Sequence, residues 1–306
     1  MTNRSRCAFQ IALLGCALAA VCASGCASMR RQKISTKSMA ACRQMSRDGV
    51  AAMELGQWDQ AQELLTDAVQ TSPTDLDARR HLAEVLWQQG KHRDAVVQLE
   101  AAVRIDPRHA PTVVRSGEML LGIGSIDRAL VRAEEAIALD SSLAGAWALR
   151  GRIFRKQDKP ERALADMQQA LRYSPNMTNA LLEVAEIQFS LKRPQRSLTA
   201  IHYLLDVYAP GEEPQKVLWL EGLVYGALER RQDAVESLYA ASLRGQPSAE
   251  LFYDLATAQN AAAQPAAASS SLRQALALDA GHKASQVLLA QLQGTTSPGL
   301  GNVIRR

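Results

Sequence analysis

Between residues 76 and 109 the apolar positions fall three and four apart. Leu82, Ala83 and Leu86 make one stripe, and Ala95, Leu99, Ala102 and Val103 make a second. That spacing puts each set on one side of an α-helix. The segment therefore reads as two amphipathic helices, with Gly90 ending the first and Pro107 following the second. One such pair cannot cover its own apolar faces, so it needs a neighbour of the same kind.

The chain supplies those neighbours at a fixed step. Gly56, Gly90 and Gly124 are 34 residues apart. Ala61, Ala95, Ala129 and Ala163 keep this step, as do Ala68, Ala102, Ala136 and Ala170. Pro73, Pro107 and Pro175 form another column, with Ser141 standing in once. Gly49, Ala83, Gly117, Gly151 and Ala185 form a further one. The period slips by three residues around Pro210-Gly211-Glu212-Glu213-Pro214. It resumes with Gly222, Ala234 and Ala241, then Ala256, Ala268 and Ala275. Each column has a physical reason. Helices that cross closely need one small side chain at the crossing. Larger residues such as Leu99, Leu120, Phe154, Met167, Tyr225 and Leu238 fill the space beside it.

The 34-residue step and the set Trp147, Gly151, Phe154, Ala163, Ala170 and Pro175 within one unit resemble the tetratricopeptide repeat (TPR). The resemblance spans residues 42–282. It implies an all-α chain, an α-solenoid of about seven stacked helix-turn-helix repeats forming a right-handed superhelix. The repeats lie near 42–75, 76–109, 110–143, 144–177, 178–211, 215–248 and 249–282. The fifth is the weakest, with Ser197 and Leu204 where alanines are expected. Residues 283–293 read as a closing helix, with Leu288, Leu289 and Leu292 inward. Residues 294–306 are rich in Gly, Ser, Thr and Pro and read as a disordered tail.

The N-terminus has another pattern. Arg4 and Arg6 precede an apolar run from Cys7 to Val21, and small residues follow, which is the layout of a secretory signal. Ala23-Ser24-Gly25-Cys26 resembles the lipobox of bacterial lipoproteins, with Ala23 where Leu is usual. The resemblance implies a signal over residues 1–25, lipid attachment at Cys26 and a basic tether over residues 26–41 with Arg30, Arg31, Lys33 and Lys37. Ala27, rather than Asp, after the cysteine implies an exported, lipid-anchored protein of the outer membrane facing the periplasm. Leu13-Leu14-Gly15-Cys16 fits the box better by letter but leaves a signal core of only about eight residues. An ordinary cleaved signal and an uncleaved anchor of about 20 residues are the alternatives.

Composition narrows the chemistry. Of 306 residues 47% are hydrophobic but only 5% aromatic, which favours closely approached helices over a sheet sandwich. The net charge of +4 becomes +2 without Arg4 and Arg6, which gives no expectation of nucleic acid as a partner. Four of the five cysteines lie in the first 26 residues, and Cys42 reads as a small buried hydrophobe. His81, His92, His109, His202 and His282 are scattered, with no i,i+4 pair. No phosphate loop, zinc motif or nucleophile elbow occurs. The chain is therefore expected to use no cofactor or metal, to act on no small-molecule substrate and to have no catalytic residues.

By resemblance to the family, the first helix of each pair lines a concave groove that holds segments of other proteins or peptides. Offsets from the small-residue columns place Arg80, Glu84 and Trp87 in the second repeat, and Glu118 and Leu121 in the third. They place Arg152, Arg155 and Lys156 in the fourth, Glu186 and Phe189 in the fifth, Trp219 and Leu223 in the sixth, and Tyr253 and Asn260 in the seventh. Trp87, Phe189, Trp219 and Tyr253 are candidate exposed anchors. Arg152, Arg155 and Lys156 are a candidate grip for a carboxylate. The combined expectation is a non-enzymatic scaffold or adaptor of the bacterial envelope, serving outer-membrane, pilus or cell-wall assembly. A cell-wall enzyme using the paired acids Glu84 and Glu118 is the alternative.

Overall fold

The computed structural model describes residues 40–295. The signal segment, Cys26, most of the tether and residues 296–306 lie outside the described residues. All regular structure among the described residues is helical. Helix α1 spans residues 40–54, so it takes in the last two residues assigned to the tether. It is followed by α2 (Trp58–Thr71), α3 (Leu76–Gln88), α4 (His92–Ile105), α5 (Ala110–Gly122), α6 (Ile126–Leu139), α7 (Ala144–Lys156) and α8 (Pro160–Tyr173). Then come α9 (Thr178–Ser190), α10 (Pro194–Leu205), α11 (Gln215–Ala227), α12 (Arg231–Ser242), α13 (Ala249–Ala261), α14 (Pro265–Leu278) and α15 (Lys283–Thr295). The closing helix thus runs two residues past the stretch the apolar pattern marks, through Gly294.

These helices form two compact units that divide between Asp140 and Ser141. In the first, α1 to α6 make three consecutive pairs, and each second helix packs on the first helix of the next pair. In the second, α7 to α14 make four pairs in the same sequential order, closed by α15 against α14. Ala61, Ala95, Ala129 and Ala163, with Ala68, Ala102, Ala136 and Ala170, are fully buried. The tightest crossings fall where the small column predicts. A Cβ added to Gly49 would lie 2.7 Å from Leu65 Cγ, and one added to Gly222 would lie 2.5 Å from Leu238 Cγ. Ser197 fits the alanine column of the fifth repeat because its buried hydroxyl donates to the Ala185 carbonyl at 2.8 Å.

The turn inside each pair keeps one conformation even where its residue changes. Gly56, Gly90 and Gly124 have φ of 70°, 77° and 78°. The equivalent residues of the second unit are Asp158, Lys192, Glu229 and Ala263, with φ of 56°, 58°, 58° and 60°. Only glycine reaches this left-handed region without cost. The turn geometry is therefore imposed by helix packing and not by the residue occupying it. The three extra residues of the period slip form a turn at Gly211. There the Glu213 carboxylate accepts from the Gly211 N–H at 2.9 Å and from Arg244 at 3.1 Å.

Several polar groups inside the stacks are paired, whereas the buried Gln188 Oε1 has no hydrogen-bond partner among the described residues. Asp166, 6% exposed, accepts two hydrogen bonds from Arg150 at 2.7 and 2.9 Å. Glu100 of α4 accepts from Arg132 of α6 at 2.7 and 3.1 Å and from the Ser116 hydroxyl of α5, linking three helices. Burial pushes the Glu100 carboxyl up, but its bonds from Arg132 and Ser116 outweigh this and hold it below its ordinary value. Cys42 is buried, its thiol donating to the Ala68 carbonyl at 3.3 Å, and burial raises its pKa.

Two predictions follow from these contacts. Replacing Lys192 or Ala263 by Gly is expected to raise unfolding free energy by about 0.5–1 kcal/mol each, the left-handed strain removed exceeding the extra freedom of the unfolded chain. Denaturant titration checks this, and a loss of stability would contradict it. Glu100 titrates lower in the folded state than in the unfolded one, so its contribution is full above the unfolded value of about 4.3 and is lost as pH falls through the folded value. Glu100→Gln is therefore expected to flatten the acid-side loss of stability measured by urea unfolding from pH 6 to pH 3.

Candidate functional site

The first helices α1, α3 and α5 of the first unit, and α7, α9, α11, α13 and the capping α15 of the second, carry the sequence-predicted residues. Each unit shows its own arrangement.

In the first unit one cation bonds to both acids. Arg115 of α5 donates to both carboxylate oxygens of Glu84 on α3, at 2.7 and 2.6 Å. Its remaining terminal nitrogen donates to Glu118 at 3.0 Å. The bond to Glu84 is the largest cause of the raised Arg115 pKa. Arg80 pairs with Asp77 at 3.1 Å, within its own helix. Trp87 is half-buried. Its ring stacks 4.3 Å from the His92 ring and lies where a Gly122 side chain would be. It fills a gap between α3 and α5 and does not stand free as an anchor. Leu121, next to Gly122 in sequence, is half-buried.

In the second unit one member of the expected basic spot, Arg155, is paired within the chain. Arg155 of α7 pairs with Glu183 and with Glu186 of α9, the latter at 2.5 Å, and Glu186 pairs onward with Lys216 of α11 at 2.5 Å. This chain of charges ties three successive first helices together. Arg152 is half-buried and Lys156 exposed. Phe189 is half-buried and packs against the core formed by α8 to α11. Leu223 is half-buried and Asn260 exposed.

Trp219 and Tyr253 are likewise half-buried and do not project as free anchors. The Trp219 indole N–H donates to Asp254 Oδ2 at 2.7 Å, joining α11 to α13. Tyr253 packs against the core closed by α15, its ring 5.5 Å from the His282 ring. The Asp254 carboxyl is pushed up, first by burial and then by Glu250 one turn away. His282 caps the start of α15. Its Nδ1 accepts from the Ser285 backbone N–H at 3.3 Å, and its Nε2 lies 2.9 Å from a Glu250 carboxylate oxygen.

The residues that organise these faces were therefore mostly outside the sequence-predicted set. Arg115, Glu183 and Asp254 each lie two positions before the small-residue column, at Gly117, Ala185 and Ala256. Lys216 and Glu250 lie six before it, at Gly222 and Ala256. Offsets of minus six and minus two belong to the same helix side as the offsets of minus three, plus one, plus four and plus five that were used. Reading those two further columns was the available signal.

Family profiles described as tetratricopeptide repeat match residues 52–113 and 148–211. No curated protein sequence matches the chain. Among solved structures, a TPR protein from Parabacteroides merdae aligns with a TM-score of 0.59 at 14% identity, covering 83% of this chain and 99% of its own. The Pseudomonas aeruginosa pilF structure aligns with a TM-score of 0.58 at 18% identity and the same two coverages. YrrB, a TPR protein titled as having an unusual peptide-binding site, aligns with a TM-score of 0.54 at 16% identity over 62% of this chain and 96% of its own. With its sequence period, its sequentially packed helix pairs and both profile matches, the chain belongs to the tetratricopeptide-repeat superfamily.

Proposed function

We propose that this chain is a non-enzymatic protein-interaction scaffold of the bacterial cell envelope, held at a membrane by lipid on Cys26 and docking partner segments on its first-helix faces. The observation that carries the docking role is the way those faces are held. In the first unit Arg115 bridges α3 and α5, and in the second Arg155, Glu183, Glu186 and Lys216 bridge α7, α9 and α11. A face whose side chains are fixed before binding loses less conformational freedom on binding. The peptide-binding site of YrrB, on a similar fold, supports the same use. The anchor and the outer-membrane, periplasm-facing setting rest on the lipobox-like Ala23-Ser24-Gly25-Cys26 and on Ala27. Outer-membrane, pilus or cell-wall assembly are the machineries this setting suggests.

The enzyme reading loses its motivating pair. General acid–base work by two carboxylates needs environments that push their pKa values apart. Glu84 and Glu118 instead both accept hydrogen bonds from the one Arg115 guanidinium.

Two outcomes test the proposal. Cys26→Ser is expected to abolish palmitate labelling and move the protein from the membrane to the soluble fraction, since two or more acyl chains give nearly permanent attachment. Unchanged labelling and fractionation would remove the anchor. A Lys156→Glu, Asn260→Arg double variant, altered only at exposed positions, is expected to lose specific crosslinked species from intact cells without changing its thermal melt. An unchanged crosslinking pattern would remove the docking role.

A further inference from the structure

The junction between α1 and α3 is built differently from those at α3–α5 and α7–α9. In the latter two an arginine crosses from one first helix to the next, Arg115 to Glu84 and Arg155 to Glu183. Glu84 lies one residue after the small position Ala83 of its helix, and Arg115 two residues before Gly117. At the α1–α3 junction the same two positions hold Val50 and His81. Among the described residues no ion pair crosses between these helices. The space is left as a cavity of about 710 Å³, with Val50 and Ala51 on the α1 wall and His81 on the α3 wall. That volume is in the range of sites that take up a ligand or a short chain segment.

Two cations line this cavity without a charge partner among the described residues. Arg43 and Arg47 are exposed and lie one turn apart on α1, where like charges repel. Arg47 donates to the uncharged Gln44 at 2.6 Å. It stands two residues before Gly49, the position from which Arg115 bonds two glutamate side chains. On the same wall the Ser46 hydroxyl oxygen has no hydrogen-bond partner among the described residues. The imidazole of His81 is held below its ordinary pKa, first by burial and then by Arg80, so it adds no charge at neutral pH.

The acids around the cavity are used elsewhere or lie apart. Asp75 caps α3 by accepting from the Ala78 N–H at 2.9 Å, and Asp77 pairs with Arg80 at 3.1 Å. Glu54 is two turns beyond Arg47, about 10 Å along the helix axis. Residues 1–39 and 296–306 contain no Asp or Glu, so no side chain from those segments can bring a carboxylate to these arginines.

We propose that the α1–α3 cavity receives an Asp or Glu side chain from a partner protein segment, its carboxylate bonded by Arg43 and Arg47 and the adjoining chain lying over Val50 and Ala51. The contact repeats outside the chain what Arg115 does within it, a guanidinium holding a carboxylate from a neighbouring element. It rests on the reading of the first-helix faces as docking surfaces and adds one particular seat and the sign of charge that it selects.

The test immobilises the full chain and selects binders from a phage library of random twelve-residue peptides. Each enriched peptide is synthesised with acetylated and amidated ends, so that side chains carry its only carboxylates. It is then titrated by calorimetry against the unaltered protein and an Arg43→Gln, Arg47→Gln double variant, whose fold is verified by thermal melts. The expected result is an enriched Asp or Glu position. Binding should weaken about tenfold or more in the double variant, with no further loss there when that acid becomes its amide, as coupled charge partners require. Enriched peptides that lack an acid, or that bind the double variant as tightly as the unaltered protein, would overturn the inference. If those peptides nevertheless lose binding to the Lys156→Glu, Asn260→Arg variant, the docking reading stands without this seat. Failure to enrich any peptide counts against both.

Discussion

The fold depends on a close approach between two helices that recurs along the chain. At Gly222 the neighbouring Leu238 occupies the space a side chain would take, and at Gly49 Leu65 does the same. The short distance lets a leucine and a fully buried alanine of the second helix cover the first. The second helix then has apolar surface left for the next pair. Because each pair is incomplete in this way, its partner must be its neighbour in sequence, and stability accumulates interface by interface. No distant part of the chain has to fold back to complete a core. The contacts within each unit accordingly join consecutive helices, apart from weaker ones between successive first helices.

This packing also decides where charge can go. Both stripes of each pair are committed to neighbours, so polar residues gather on the outward sides of the helices. There they meet their counterparts one repeat away: Arg115 and Glu84 are 31 residues apart, and Arg155 and Glu183 are 28 apart. Exposed pairs of this kind contribute little to stability singly. Their effect is to fix the relative placement of side chains on successive helices, which matters more for recognition than for folding. The buried Arg150–Asp166 pair is different. Removing either member would leave a charge inside the α7–α8 crossing, where burial makes it expensive.

The architecture was legible in the sequence because its determinants are periodic. Gly49 and Gly222 must be small for steric reasons, and that requirement leaves the same letter, or alanine, every 34 residues. The left-handed turn was legible at Gly56, Gly90 and Gly124 but not at Lys192 or Glu229, where packing enforces a conformation the residue itself disfavours. The faces were less legible. Offsets from a column give a direction, not a neighbour. They placed Trp87 on the right side of α3 without showing that Gly122 leaves room for its ring to lie down between helices. They found Arg155 without Glu183, which turns an apparent carboxylate grip into an internal ion pair. Pairing across repeats depends on rotamer and reach, and neither has a period.

Net charge is for the same reason a poor guide to what such faces bind. The +4 of the whole chain does not show that Asp254 on α13 is held by an indole, nor that Arg155, one of three basic residues on α7, is held by acids of α9. What matters is the charge left over after each residue has met the partners that stacking brings within reach. On α9 that remainder is small, because Glu186 lies between two cations. On α13 Asp254 meets the Trp219 indole and Glu250 meets His282. A repeat scaffold can therefore keep one fold throughout and still vary what each repeat recognises. The small columns fix where the helices sit, and the unconstrained positions between them decide whether a neighbouring repeat or an outside partner supplies the missing charge.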